Sequence, residues 1–84
     1  MPKSHDPRAA KREILRRLVD HPEVALTPGN FIIFLYDTFH EETIDAAIST
    51  LERGGQMVFE DVNGVKHYKI TDAGREMFTE LSVG

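Results

Sequence analysis

Residues 56–70, QMVFEDVNGVKHYKI, are the stretch that decides the fold of this chain. The pair NG near its centre is favoured in a two-residue type I′ turn between antiparallel strands. Folding the strands about this turn places Phe59 opposite Tyr68 and Asp61 opposite Lys66. The opposite charges of the second pair agree with that register. The stretch therefore predicts a β-hairpin.

The predicted register also assigns the two faces of the hairpin. Side chains alternate along a strand, so every second residue points the same way. The face expected to lie against the core carries Met57, Phe59, Tyr68 and Ile70. The opposite face carries Val58, Glu60, His67 and Lys69.

A helix is predicted directly before the hairpin, over residues 41–53 (EETIDAAISTLER). Apolar side chains recur there at i, i+3, i+4 and i+7, which predicts one helical face in the core. These residues are Ile44, Ala47, Ile48 and Leu51. The glycine pair that follows ends the helix, because glycine adopts a left-handed conformation without steric cost.

Capping signals predict three further helices. DP at residues 6–7 and TP at residues 27–28 each pair a capping side chain with a proline suited to the first helical turn. The second of these helices is expected to reach about residue 38, and a short strand is expected at residues 24–26. Thr71 caps a last helix. Its side chains that pack back on the core are Met77, Phe78 and Leu81. The predicted order, helix, short strand, helix, helix, hairpin, helix, is an α+β fold.

Composition limits the classes of protein that fit. The chain has 84 residues, 40% hydrophobic and 29% charged, which is typical of one small globular domain. It has no cysteine, no signal region and no apolar run long enough to span a membrane, so we expect a cytoplasmic protein. The four histidines show no metal-site spacing and no phosphate loop is present. We therefore expect no enzymatic activity, no metal and no cofactor.

Charge is distributed unevenly along the chain. Residues 1–17 hold six cations and two anions, a net of +4, whereas residues 18–84 hold four cations and twelve anions, a net of −8. Arg8, Arg12 and Arg16 share one helical stripe. This asymmetry fits either a basic segment that meets a polyanion or a solvated helix, and the sequence leaves both open.

Two motifs carry a resemblance to a known family. EETIDAAISTLERGG resembles the recognition helix of winged helix-turn-helix proteins, and YKITDAG resembles the passage from their wing to the last helix. The chain is similar to small prokaryotic regulators of the MarR and PadR groups and to haloarchaeal proteins resembling the phi-H phage repressor. The resemblance implies a three-helix core, a two-stranded wing and a C-terminal helix over residues 7–84, after a flexible basic tail at residues 1–6.

The resemblance also implies a function, a DNA-binding transcriptional regulator that acts as a homodimer on double-stranded DNA, with its third helix in the major groove. The residues expected to contact DNA are Arg8, Arg12, Arg16, Thr43, Ala46, Ser49, Thr50, Arg53, Lys66 and Lys69. The third helix, however, begins with Glu41 and Glu42. These acids can serve the helix dipole, read cytosine, or face a protein.

The second helix predicts an interface between two copies of the chain. It is apolar on nearly all sides, which a domain of this size cannot cover alone. The residues expected in the homodimer interface are Ile33, Phe34, Tyr36, Phe78 and Leu81. The alternative function is a winged-helix module that binds a protein, through its acidic third helix, and does not bind DNA.

Overall fold

The computed structural model describes residues 2–83, which form four helices and one antiparallel hairpin. In chain order the elements are α1 (Pro7–Asp20), α2 (Pro28–Leu35), α3 (Glu41–Arg53), β1 (Met57–Val62), β2 (Val65–Ile70) and α4 (Asp72–Val83). The α+β class predicted from the sequence is confirmed. No helix in residues 2–83 combines the length and apolar character required to cross a membrane.

The first two helices begin at the predicted caps. The carboxylate of Asp6 accepts hydrogen bonds from the backbone N–H groups of Arg8 and Ala9. Thr27 and Asn30 form a reciprocal capping box at the start of α2. That helix ends at Leu35 rather than near residue 38, because the chain there tightens into a turn.

The hairpin has the predicted register, with Phe59 opposite Tyr68 and Asp61 opposite Lys66. Both turn residues take positive φ, 54° at Asn63 and 82° at Gly64, as a type I′ turn requires. The short strand expected at residues 24–26 is reduced to one bridge. Leu26 exchanges two backbone hydrogen bonds with Tyr68, of 3.0 and 2.7 Å.

The hydrophobic core lies where the helices meet the open end of the hairpin. Ile14, Leu15, Ile44 and Leu51 are fully buried where α1 packs on α3. Met57 and Tyr68 close the core from the hairpin side, and Leu81 closes it from α4. The core face predicted for α3 is confirmed.

Phe59 is an exception to the predicted faces. It shares a hairpin face with Met57, yet it remains 44% exposed, so the expectation that it lies in the core is wrong. Its ring contacts the edge of Tyr68, with centroids 5.8 Å apart. The reason is position along the strand. Phe59 lies farther from the helices than Met57, so its ring is left with partners from the hairpin itself, Tyr68 and the Lys66 ammonium group.

The junction between hairpin and α4 depends on a glycine. The hydroxyl of Thr71 caps α4 by accepting from the backbone N–H of Gly74, 3.1 Å away. Gly74 lies directly against the backbone carbonyl of Gln56, and a Cβ there would overlap this oxygen and press on Ile70. Glycine at this position therefore allows α4 to pack closely on Gln56, the residue before β1.

Candidate nucleic-acid interface

The outer face of α3 is exposed and divides into two halves. Its first two turns present the acids Glu41, Glu42 and Asp45 to solvent. The exposed side chains that follow are neutral or positive, and the acid of this half, Glu52, is partly buried and hydrogen-bonded to Tyr68 and Lys66. These exposed residues are Ala46, Ser49, Thr50 and Arg53. A negative ligand could therefore approach the C-terminal half of α3 more easily than its start.

Thr43 does not belong to this outer face. Its exposed fraction is 8%, so the expectation that it faces DNA bases is wrong. The cause is helical periodicity. Thr43 lies one turn before Ala47 and two turns before Leu51, and that stripe packs into the core.

Two polar side chains of the exposed half fold back along α3. The hydroxyl of Thr50 donates to the carbonyl oxygen of Ala46 at 2.9 Å, and Nε of Arg53 donates to that of Ser49 at 3.4 Å. The Thr50 oxygen remains free to accept, and the Arg53 guanidinium retains further N–H donors. Both groups can therefore still contact an external partner.

Glu52 connects the end of α3 to the hairpin. One oxygen of its carboxylate accepts from the hydroxyl of Tyr68 at 2.6 Å and from Nζ of Lys66 at 3.0 Å. These two hydrogen bonds, that from Tyr68 first, lower the pKa of Glu52 below its ordinary value. Burial, with help from the Glu52 carboxylate, raises the pKa of Tyr68. The hairpin is thus held at a defined position beside α3.

The two hairpin lysines differ in how free they are. Lys66 is committed to Glu52, and its Nζ also lies 4.5 Å from the centre of the Phe59 ring. Lys69 is exposed, and it makes no ion pair within residues 2–83. Lys69 is therefore the more available cation for an external anion.

The arginine stripe of α1 also contains bound and free members. Nε atoms of Arg12 and Arg16 lie 3.3 and 3.7 Å from the Glu13 carboxylate. Arg8 is exposed and forms no ion pair in the described part of the chain. Exposed ion pairs are weak, so Arg12 and Arg16 can exchange Glu13 for another anion at little cost.

The apolar surface of α2 is open, as expected. The exposed fractions of Ile33, Phe34 and Tyr36 are 67%, 43% and 50%. Arg17 lies over the Phe34 ring at 4.7 Å. Leu81 is not part of this surface, because it is 9% exposed. The prediction that it packs back on the core is confirmed, and the expectation that it lies in an interface is wrong. Phe78 is partly buried against the same core.

Residues 3–6, which we call the N-terminal arm, lie against the segment between α2 and α3. The Ser4 N–H donates to the Thr38 carbonyl at 2.8 Å, and the His40 N–H donates to the Ser4 carbonyl at 3.3 Å. The rings of His5 and His40 stack in consequence, with centroids 3.8 Å apart. Sequence spacing could not reveal this pair, since thirty-five positions separate the two histidines.

Comparison with known proteins adds no functional assignment. No family model, curated protein or solved structure matches this chain. Function must therefore be inferred from the chemistry of the described residues and from the order of their elements.

Proposed function

We propose that this chain is a winged helix-turn-helix protein that binds double-stranded DNA as a homodimeric transcriptional regulator. α2 and α3 form the helix-turn-helix, and β1 and β2 form the wing. The single observation that carries the proposal is the exposed C-terminal half of α3, beside a hairpin that Glu52 ties to it. Helices presented in this way enter the major groove in this class of protein.

The chemistry of that surface supports contact with DNA. Ala46 can contact a thymine methyl group, and the hydroxyls of Ser49 and Thr50 can meet either bases or phosphates. Affinity then depends on the exposed cations of α1, α3 and the hairpin, since phosphate neutralisation supplies most non-specific binding energy. Arg8 and Lys69 are the most available of them, followed by Arg12, Arg16 and Arg53. Lys66 contributes less unless it leaves Glu52.

Salt dependence tests this proposal directly. Fluorescence anisotropy with duplex DNA at about 50 mM salt should show binding whose log–log salt slope rises by about 0.9 for each neutralised phosphate. Arg8→Ala and Lys69→Ala should each weaken binding to all sequences and flatten the slope by about one unit. Arg75→Ala on α4 removes the same charge outside the proposed surface and should leave the slope unchanged.

The neutral side chains of Ser49 and Thr50 are tested by sequence preference rather than by salt dependence. Ser49→Ala and Thr50→Ala should alter which sequences are enriched from a pool of random duplexes while leaving the salt slope nearly unchanged. A uniform loss across all sequences would instead assign these residues to phosphate contacts or to folding.

The acidic half of α3 should weaken DNA binding by repulsion. Asp45→Asn removes one exposed carboxylate without touching the core, so it should tighten binding modestly and at every sequence. A selective loss at sequences with one particular cytosine would show that the carboxylate reads a base instead.

A second function, binding to a protein partner without DNA, is favoured by a separate observation. Glu41, Glu42 and Asp45 form an exposed acidic cluster on the helix that would enter the groove. If the anisotropy measurement detects no duplex binding, the DNA proposal fails. The acidic half of α3 then becomes the surface to test against basic protein partners.

A further inference from the structure

Side chains suited to metal binding converge where the N-terminal arm meets the start of α3. The ligand atoms of His5, His40 and Glu42 all lie within 4.8 Å of one another. A tetrahedral ion with bonds of about 2.0–2.1 Å requires ligand atoms roughly 3.4 Å apart. His5 and Glu42 are exposed and His40 is half-buried. Side-chain rotation alone can therefore bring the ligand atoms to that spacing.

The backbone holds two of these ligands together. Ser4 donates to Thr38 and accepts from His40, so the arm runs beside the segment that leads into α3. This pairing places His5 next to His40, with the ring planes only 9° from parallel. The two imidazoles are thus already adjacent without an ion, which lowers the entropy lost on binding. Rotation of the rings out of the stack then turns one nitrogen of each toward a common ion.

His40 also occupies a helix-capping position at which its side chain forms no cap. It is the N-cap residue of α3, yet the imidazole makes no capping hydrogen bond. Serine, threonine, aspartate and asparagine are strongly preferred there because their oxygens accept from the first backbone N–H groups. Helix stability therefore does not explain a histidine at this position, whereas a ligand role does.

We propose that His5, His40 and Glu42 bind a divalent first-row transition-metal ion, with Zn²⁺ as the reference ion. Imidazole nitrogens with a carboxylate oxygen suit these ions, whereas Mg²⁺ and Ca²⁺ favour oxygen ligands alone. Glu41 and Asp45 line the same open depression of about 380 Å³ together with His40 and Glu42. Their negative charge favours a cation, and a water molecule can complete the coordination.

The site has a consequence that rests on the proposed DNA binding. A bound divalent ion offsets the charge of the acids at the start of α3, where phosphate would otherwise be repelled. Saturating Zn²⁺ should therefore tighten duplex binding by the parent protein and not by the His5→Ala variant. Metal binding itself is measured without DNA, so failure of either proposal is recognised separately.

Calorimetry on tag-free protein tests the site. Titration with ZnCl₂ should show saturable binding of one ion per chain, with Mg²⁺ in excess unable to compete. His5→Ala, His40→Ser and Glu42→Gln should each weaken affinity by more than about tenfold, since even changes around ligands cost that much. His40→Ser introduces a side chain that favours the N-cap position, so loss of binding in that variant would not result from destabilisation of α3.

The other two histidines provide the matched control. His21→Ala and His67→Ala should bind Zn²⁺ as the parent does. In histidine side-chain NMR spectra, Zn²⁺ should shift the signals of His5 and His40 and leave those of His21 and His67 in place. The proposal is overturned if the parent shows no saturable binding, or if the control variants lose affinity as much as the ligand variants.

Discussion

Tyr68 contacts α3, the hairpin and the core at once. Its ring is buried against Phe31, its backbone pairs with Leu26, and its hydroxyl donates to Glu52. A buried polar group gains stability only when it is hydrogen-bonded. Glu52 therefore makes it possible for a tyrosine to occupy this apolar position.

Removing the hydroxyl should destabilise the fold. Tyr68→Phe deletes the donor to a charged carboxylate that is only partly exposed, so the free energy of unfolding should fall by about 1 kcal/mol. Urea denaturation gives this value. Tyr36→Phe is the matched control, because the Tyr36 side chain is half exposed, and it should change stability little. Equal effects of the two substitutions would contradict a specific role for the Tyr68–Glu52 hydrogen bond.

The same hydrogen bonds make stability depend on pH. The folded protein holds the pKa of Glu52 below its ordinary 4.5, chiefly through the Tyr68 hydroxyl and then through Lys66. The folded state thus binds the proton less readily than the unfolded state. The resulting stabilisation is present above the ordinary pKa and is lost as pH falls through the lowered one.

Glu52→Gln should reveal this dependence. Its free energy of unfolding should lie below that of the parent at about pH 7, and the difference should shrink as pH falls through the lowered pKa of the parent carboxyl, because the parent is then protonated too. Urea denaturation over a series of pH values measures this difference. Glu60→Gln, on the exposed outer side of the hairpin, should have little effect at any of them. A difference for Glu52→Gln that persists in acid would argue against the carboxylate as the cause.

At the scale of elements, α3 and α4 are both positioned by their ends. Gly55, with φ at 78°, reverses the chain after α3. The Thr71 hydroxyl caps α4 and donates at 2.6 Å to the carbonyl of that same Gly55. The hairpin between the two helices therefore begins and ends at one place, which brings α4 back onto the core.

Close packing of α4 predicts the result of adding one methyl group. Gly74→Ala places a Cβ against the backbone carbonyl of Gln56, which cannot rotate away as a side chain would. We expect a loss of about 1–3 kcal/mol in unfolding free energy, typical of overpacking. Thermal or urea unfolding measures it.

Gly29→Ala is the control for this change, since its Cβ would find only Thr27 Oγ1, at 3.7 Å. Alanine is also the better helix former, so stability should stay constant or rise by less than about 1 kcal/mol. If Gly74→Ala behaved like Gly29→Ala, α4 would not pack against the Gln56 carbonyl as described.

The whole molecule presents an apolar surface that the proposed homodimer would cover. Ile33 at 67% exposed is its most prominent member, and Phe34 and Tyr36 lie beside it. A small monomer gains stability by burying such a surface against a second copy. Lys3 and Arg17 lie over the rings of Tyr36 and Phe34, so the surface is bordered by positive charge.

Light scattering tests the oligomeric state. The parent protein at about 100 μM should have the mass of two chains, and dilution should dissociate it. Ile33→Glu should produce a monomer, because a charge in the interface would lose its hydration. Val24→Glu changes a residue that is 53% exposed and lies outside this surface, and it should leave the dimer intact. A monomeric parent under these conditions would refute the dimer.

Local signals determined most of the elements in advance. Caps at Asp6 and Thr27, apolar periodicity in α3 and the Asn63-Gly64 turn each act within a few residues. Such local interactions set the helix starts and the strand register without contacts from distant parts of the chain. The hairpin register and the bounds of α3 were therefore predictable from the sequence.

Tertiary structure decided which side chains are covered and which meet. Phe59 stays exposed because it lies farther from the helices than Met57 does, and alternation along the strand carries no such information. Thr43 is buried because the face of α3 that packs on the core is wider than the set of its apolar residues, and it includes this polar side chain.

The sequence likewise predicted only some of the residues of the candidate site. The outer residues of α3 follow from periodicity, so Ala46, Ser49 and Thr50 could be assigned to it directly. The stacking of His5 on His40 and the ion pair between Lys66 and Glu52 could not be predicted, because each joins side chains that are distant along the chain. Only the folded backbone brings such residues within contact distance.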